Sequence, residues 1–76
     1  MMKYVLILHL CTYFSQAVCT SQKVLPYEFT SYHDCLTQGY IHSYKEVMAM
    51  DKEKVEQEKL AVRFQCRGVE VPEVNS

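Results

Sequence analysis

The run Lys3–Phe14, KYVLILHLCTYF, has no polar face. In an extended chain Tyr4, Leu6, Leu8 and Leu10 fall on one side, and Val5, Ile7, Cys11 and Tyr13 on the other. A strand buried on both sides reads this way. So does the apolar core of a secretory signal, and periodicity does not separate the two. Lys3 precedes the run and Ser15-Gln16-Ala17 follows it as a small-residue cleavage site. Residues 1–17 are therefore either a removable signal peptide or the first strand of the fold. The run is too short for a membrane helix, which needs ~20 apolar residues, so no membrane span is expected.

The other end of the chain bears on that choice. Leu60–Arg67 alternates cleanly: Leu60, Val62, Phe64 and Cys66 point one way, and Ala61, Arg63, Gln65 and Arg67 the other. Such a strand needs a partner, because a lone one leaves a row of unpaired backbone groups. The one other long strand-like segment is Lys3–Phe14. Cleavage after Ala17 would also leave three cysteines, an awkward number for an exported protein. Both points favour keeping residues 1–17 as part of the fold. The cleavage site and the cysteine content favour export, since disulfides persist in oxidising compartments.

Seventy-six residues make a single small domain, 1–76, with a marginal core. A chain of this size buries only ~60% of the surface it exposes unfolded. Disulfides, a metal or a partner subunit usually make up the difference. The net charge is −1 with the signs interspersed, which offers no basic face for nucleic acid.

Ser15–Phe29 shows no regular period and contains Pro26, so it reads as a connecting loop. A helix begins near Ser31, where Ser31 and Asp34 resemble a capping box. Tyr32, Leu36, Tyr40, Ser43, Val47 and Met50 recur at helical spacing and predict the core-facing stripe. Gly39 lies beside it, a position that costs ~1 kcal/mol relative to alanine unless a neighbour packs closely there. At Asp51 the helix either restarts, with Asp51 as a second N-cap and Met50 and Val55 as a hydrophobic staple, or runs on unbroken to Lys59. Gly68 ends the last strand, and 69–76, with Pro72, reads as a loose tail.

Cys11, Cys19, Cys35 and Cys66 are disulfide candidates, and four cysteines allow three pairings. With Cys11 and Cys66 on partner strands, the expected pairs are Cys11–Cys66 and Cys19–Cys35. They would contribute ~4 and ~3 kcal/mol respectively. In a reducing cytosol the same residues would be small buried hydrophobes. Cys19, His33, Cys35 and Cys66 also offer a zinc donor set, but they lack the C-x-x-C or H-x3–5-H spacing of structural sites. His33-Asp34-Cys35 has the residue types of a thiol nucleophile system, yet adjacent helical residues point apart. No phosphate loop, dinucleotide fingerprint or nucleophile elbow is present. No catalytic residue, metal ligand or cofactor is assigned. Ile41, Tyr44, Met48 and Val55 form a second apolar strip off the inner stripe, a candidate partner surface.

M-K-Y-V-L-x(4)-C ending at Cys11, then Cys19, then D-C-L-x-x-G-Y (Asp34–Tyr40) and K-L-x-V-x-F-x-C (Lys59–Cys66) are similar to short proteins encoded by marine tailed bacteriophages. The resemblance covers most of the chain. It implies a viral accessory protein and brings no activity, ligand or catalytic residue with it. The expected fold is α+β: strand, loop, long helix, strand, with the helix packed on a small sheet. Two strands alone are marginal, so a homodimer, or a further strand from the loop or tail, is expected as well. The expected function is a non-enzymatic interaction module with an unknown protein partner or a second copy. An exported, signal-peptide-bearing, disulfide-stabilised protein is the alternative, and a thiol redox or zinc-binding module the second alternative. The location follows the N-terminus: host cytoplasm or virion if residues 1–17 stay, periplasm or secreted if they are cleaved.

Overall fold

The computed structural model describes residues 2–14 and 16–70. Its elements are β1 (Met2–Thr12), β2 (Val18–Phe29), α1 (Tyr32–Ala49), α2 (Lys52–Glu58) and β3 (Leu60–Glu70). The strands form one antiparallel sheet in the order β2–β1–β3, with the helices packed on one face, so the fold is α+β as expected.

The apolar run is the middle strand. β1 pairs with β3 in an unbroken register from Met2↔Glu70 to Thr12↔Leu60. Leu6 and Leu8 of β1 face the helices and join Leu25 of β2 and Cys35 of α1 in the core. Tyr4, Phe29, Val62, Phe64 and Cys66 pack around that cluster. Ile7 and Cys11 are also buried, on the opposite face, beside Val24 and Gln65 and beside Cys19 and Ala61. A central strand is screened by its neighbours on both faces, which is why β1 carries apolar residues at both parities.

Within the segment expected as a loop, Val18–Phe29 is strand. This is β2, a twelve-residue edge strand, and it is the third strand that a two-stranded sheet needs. Its pattern was hidden because all but Leu25 and Phe29 are exposed, so solvent imposes no alternation. Two irregularities obscure it further. The register with β1 jumps between Val5↔Glu28 and Ile7↔Val24, a bulge spanning Leu25, Pro26 and Tyr27. Proline is tolerated there because bulges and edges spare it a ladder hydrogen bond. The second jump, between Leu10↔Ser21 and Cys11↔Cys19, leaves Thr20 as an extra residue.

Ser31 caps α1, its Oγ accepting from the Asp34 amide at 3.3 Å. The helix stops at Met50 and restarts behind Asp51, whose carboxylate accepts from the Glu53 amide at 3.1 Å. Lys59 ends α2 with φ 52°, a left-handed residue that turns the chain into β3. Thr12 donates its hydroxyl proton to the Glu58 carbonyl, and the Tyr13 amide donates to the Lys59 carbonyl at 2.9 Å, tying this turn to the end of β1. β3 passes through Gly68 to Glu70, so Val69 and Glu70 are strand where a tail was expected. The remainder of that tail, 71–76, lies outside the described residues.

Candidate functional site

The disulfides differ from the pairing expected on sequence. Cys11 is bonded to Cys19 and Cys35 to Cys66. The reason is register. Leu6, not Cys11, stands opposite Cys66, and Cys11 has the parity of the uncovered face. The bulge at Thr20 brings Cys19 opposite Cys11; an unbroken register would have set it opposite Thr12. Cys66 has the parity of the helix face, where Cys35 in the first turn of α1 meets it. One bridge thus joins adjacent strands and the other staples helix to sheet. The loops they close, 8 and 31 residues apart in sequence, correspond to ~2.5 and ~3.5 kcal/mol of stabilisation by chain entropy.

These bonds occupy three of the four residues of the conceivable zinc set, Cys19, Cys35 and Cys66. Among the described residues no group of three or more His, Cys, Asp or Glu side chains is placed to hold a metal ion. His33 is exposed at the N-terminus of α1, its Nδ1 3.9 Å from Asp34, while Cys35 is fully buried. The three consecutive residues do not converge. The cleft beneath the C-terminal half of α1, bounded by Leu8, Leu10, Lys23, Glu46 and Met50, holds about 160 Å3.

The candidate partner strip is exposed along α1. Ile41, Tyr44 and Met48 stand on its outward side, with Tyr44 and Met48 each 66% exposed. Val55 lies beyond the break at Asp51, half-buried on α2, so the strip spans two helices.

The inner face of α1 is rotated from the predicted stripe. Cys35 and Gly39 are its buried residues, while Tyr32 and Tyr40 are exposed. Gly39 explains the rotation. A Cβ there would sit 2.4 Å from the Phe64 ring, so the helix backbone lies directly on that ring, the close approach its position suggested. Tyr32 and Tyr40 flank this contact. Tyr32 meets Tyr4 edge-on at 5.5 Å, and Tyr40 meets Phe64 edge-on at 4.8 Å. With Leu36 and Ser43 they line a groove of about 520 Å3 between α1 and β3, of mixed polar and apolar lining. Ser43 Oγ is buried there without a hydrogen-bond partner. On the opposite flank Lys23 of β2 pairs with Glu46 at 3.4 Å, and Tyr27 packs on His42. The apolar surface of α1 therefore continues from the outward strip down the β3 side and stops at polar contacts on the β2 side. Sequence periodicity found the stripe but assigned its cover to the core.

None of the described helices is long and apolar enough to cross a membrane. No protein-family model, no curated protein and no solved structure matches the chain.

Proposed function

We propose that this chain is a small non-enzymatic binding protein that offers the outward face of α1 to a protein partner. The observation that carries the reading is the exposure of Ile41, Tyr44 and Met48 on a helix whose opposite face is already committed to the sheet. Aromatic and methionine side chains grouped on a rigid helix are what interface cores are enriched in, and large apolar patches on small domains commonly mark interaction sites. We propose a viral accessory role with it, resting on the resemblance of the motifs at Lys3–Cys11, Asp34–Tyr40 and Lys59–Cys66 alone. The test is crosslinking in infected host cells, with the wild-type chain beside a Tyr44→Glu, Met48→Glu variant. Both positions are exposed, so the variant keeps its fold. A specific partner lost from the variant supports the reading. An identical crosslinking pattern for both chains removes it.

The two disulfides favour a second reading, an exported protein working in an oxidising compartment. That reading takes residues 1–17 as a removable signal, and the sheet weighs against their loss. Their removal would take away β1, the strand on which both β2 and β3 are paired, and would strand Cys19 without Cys11.

A further inference from the structure

Among the described residues the outer edge of β3 is left open, and the charges it carries, Arg63 and Arg67, have the parity of the face away from the helices. Its register with β1 is unbroken over the whole strand, it contains no proline, and among the described residues no strand lies beyond it. Proteins normally blunt such an edge with bulges, proline or lysine. β2, the opposite edge, has two bulges, Pro26 and Lys23. Alongside this edge run the exposed Tyr40 and the half-buried Leu36 of α1, and the exposed Val47 follows Tyr40 two turns on along the same side of the helix.

We propose that β3 pairs antiparallel with β3 of a second copy across a two-fold axis at Phe64, forming a continuous six-stranded sheet with the two α1 helices side by side on it. Four observations select this occupant and this register. Centring on Phe64 sets Arg63 opposite Gln65, Arg67 opposite Ala61 and Val62 opposite Cys66, so no arginine faces another; centring one residue later would set Arg63 against Arg67. The middle of α1 already lies over Phe64, through Gly39 and the edge-on contact of Tyr40 at 4.8 Å. The axis therefore brings Tyr40 and its counterpart together.

Helix spacing agrees. α1 packs across β3 and β1. With strands ~4.8 Å apart, rotating it about the two-fold axis places the two helix axes on the order of 10 Å apart, the usual helix-packing distance. The area is sufficient too. In this register nine residues of edge, Leu60–Gly68, pair and extend ~31 Å, and a strip of strand plus helix flank ~20 Å deep covers ~600 Å2 per copy, at the lower end of a standard interface. The stripe that helical periodicity marks as buried then finds its cover in the second copy.

The inference is independent of the outward strip. The test is sedimentation of the full, oxidised chain over a concentration series, with wild type beside Tyr40→Glu, Val47→Glu and beside Tyr44→Glu, Met48→Glu. Circular dichroism confirms the fold of each. The expected result is a wild-type dimer, an unchanged dimer for the Tyr44, Met48 variant, and a dissociation constant raised ~100-fold or more for the Tyr40, Val47 variant. Amide exchange should show alternate β3 amides protected in the dimer and open in that variant. A wild-type chain that stays monomeric, a dimer that survives Tyr40→Glu, Val47→Glu, or a dimer lost instead on changing Tyr44 and Met48 would each overturn the proposal.

Discussion

β2 and β3 flank the same central strand, yet they are different kinds of structure. β3 is regular, alternates inward and outward residues, and carries Val62, Phe64 and Cys66 into the core beneath α1. β2 is bulged twice, mostly exposed, and sends Leu25 as its one buried side chain. Each strand has its own disulfide, but of opposite character. Cys66 ties β3 to the helix layer, whereas Cys19 ties β2 to its strand neighbour. The difference teaches that in a thin domain the strand under the helix carries the packing, while the other edge completes backbone pairing and needs little sequence pattern to do so.

The largest expected difference lies in side-chain packing. Phe64→Ala should cost ~4 kcal/mol, because it removes a large ring packed against Gly39 and Tyr40, while Leu25→Ala should cost ~2.5 kcal/mol, because the buried side chain it removes is smaller. Urea unfolding of both variants checks this, and equal losses would erase the distinction between the strands. Next come the bridges. Replacing Cys35 and Cys66 together by serine should cost ~3.5 kcal/mol, against ~2.5 kcal/mol for Cys11 and Cys19, read as thermal midpoints with the other bridge intact. The smallest effect is at Gly39. Gly39→Ala gains ~1 kcal/mol of helix propensity but pushes a methyl into the Phe64 ring, for which overpacking costs ~1–3 kcal/mol. A net loss of ~1 kcal/mol on unfolding supports the close approach; a gain in stability would mean that helix and strand are not in contact there.

How much of this was legible follows the same division. Leu60–Cys66 and Lys3–Phe14 could be paired from sequence because burial had written itself into their side chains. Ser31 and Asp51 announced the helix starts through their capping chemistry. β2 could not be read, since an exposed edge is held by main-chain hydrogen bonds that depend little on the side chain. The disulfide pairing failed for a related reason. It turns on one extra residue at Thr20 and on a register offset of five positions between Leu6 and Cys11, and composition encodes neither. At the candidate surface, Ile41, Tyr44 and Met48 were found as an exposed strip, but Tyr32 and Tyr40 were assigned to the core. Helical spacing shows that residues share a face; it does not show whether a sheet or solvent lies against it.

The account rests on β1 as the retained central strand, bridged to β2 through Cys11–Cys19, with Cys35–Cys66 joining α1 to β3. Mass spectrometry of the trypsin-digested, unreduced protein tests both parts at once. Cleavage after Lys3, Lys23, Lys45, Arg63 and Arg67 isolates Cys11 with Cys19 in 4–23, Cys35 in 24–45 and Cys66 in 64–67. The expected result is 4–23 released alone, ~2 Da lighter than its reduced form, and 24–45 joined to 64–67. A 4–23 fragment linked to 64–67 or to 24–45, or a chain that starts at Val18 and lacks Cys11, would contradict it.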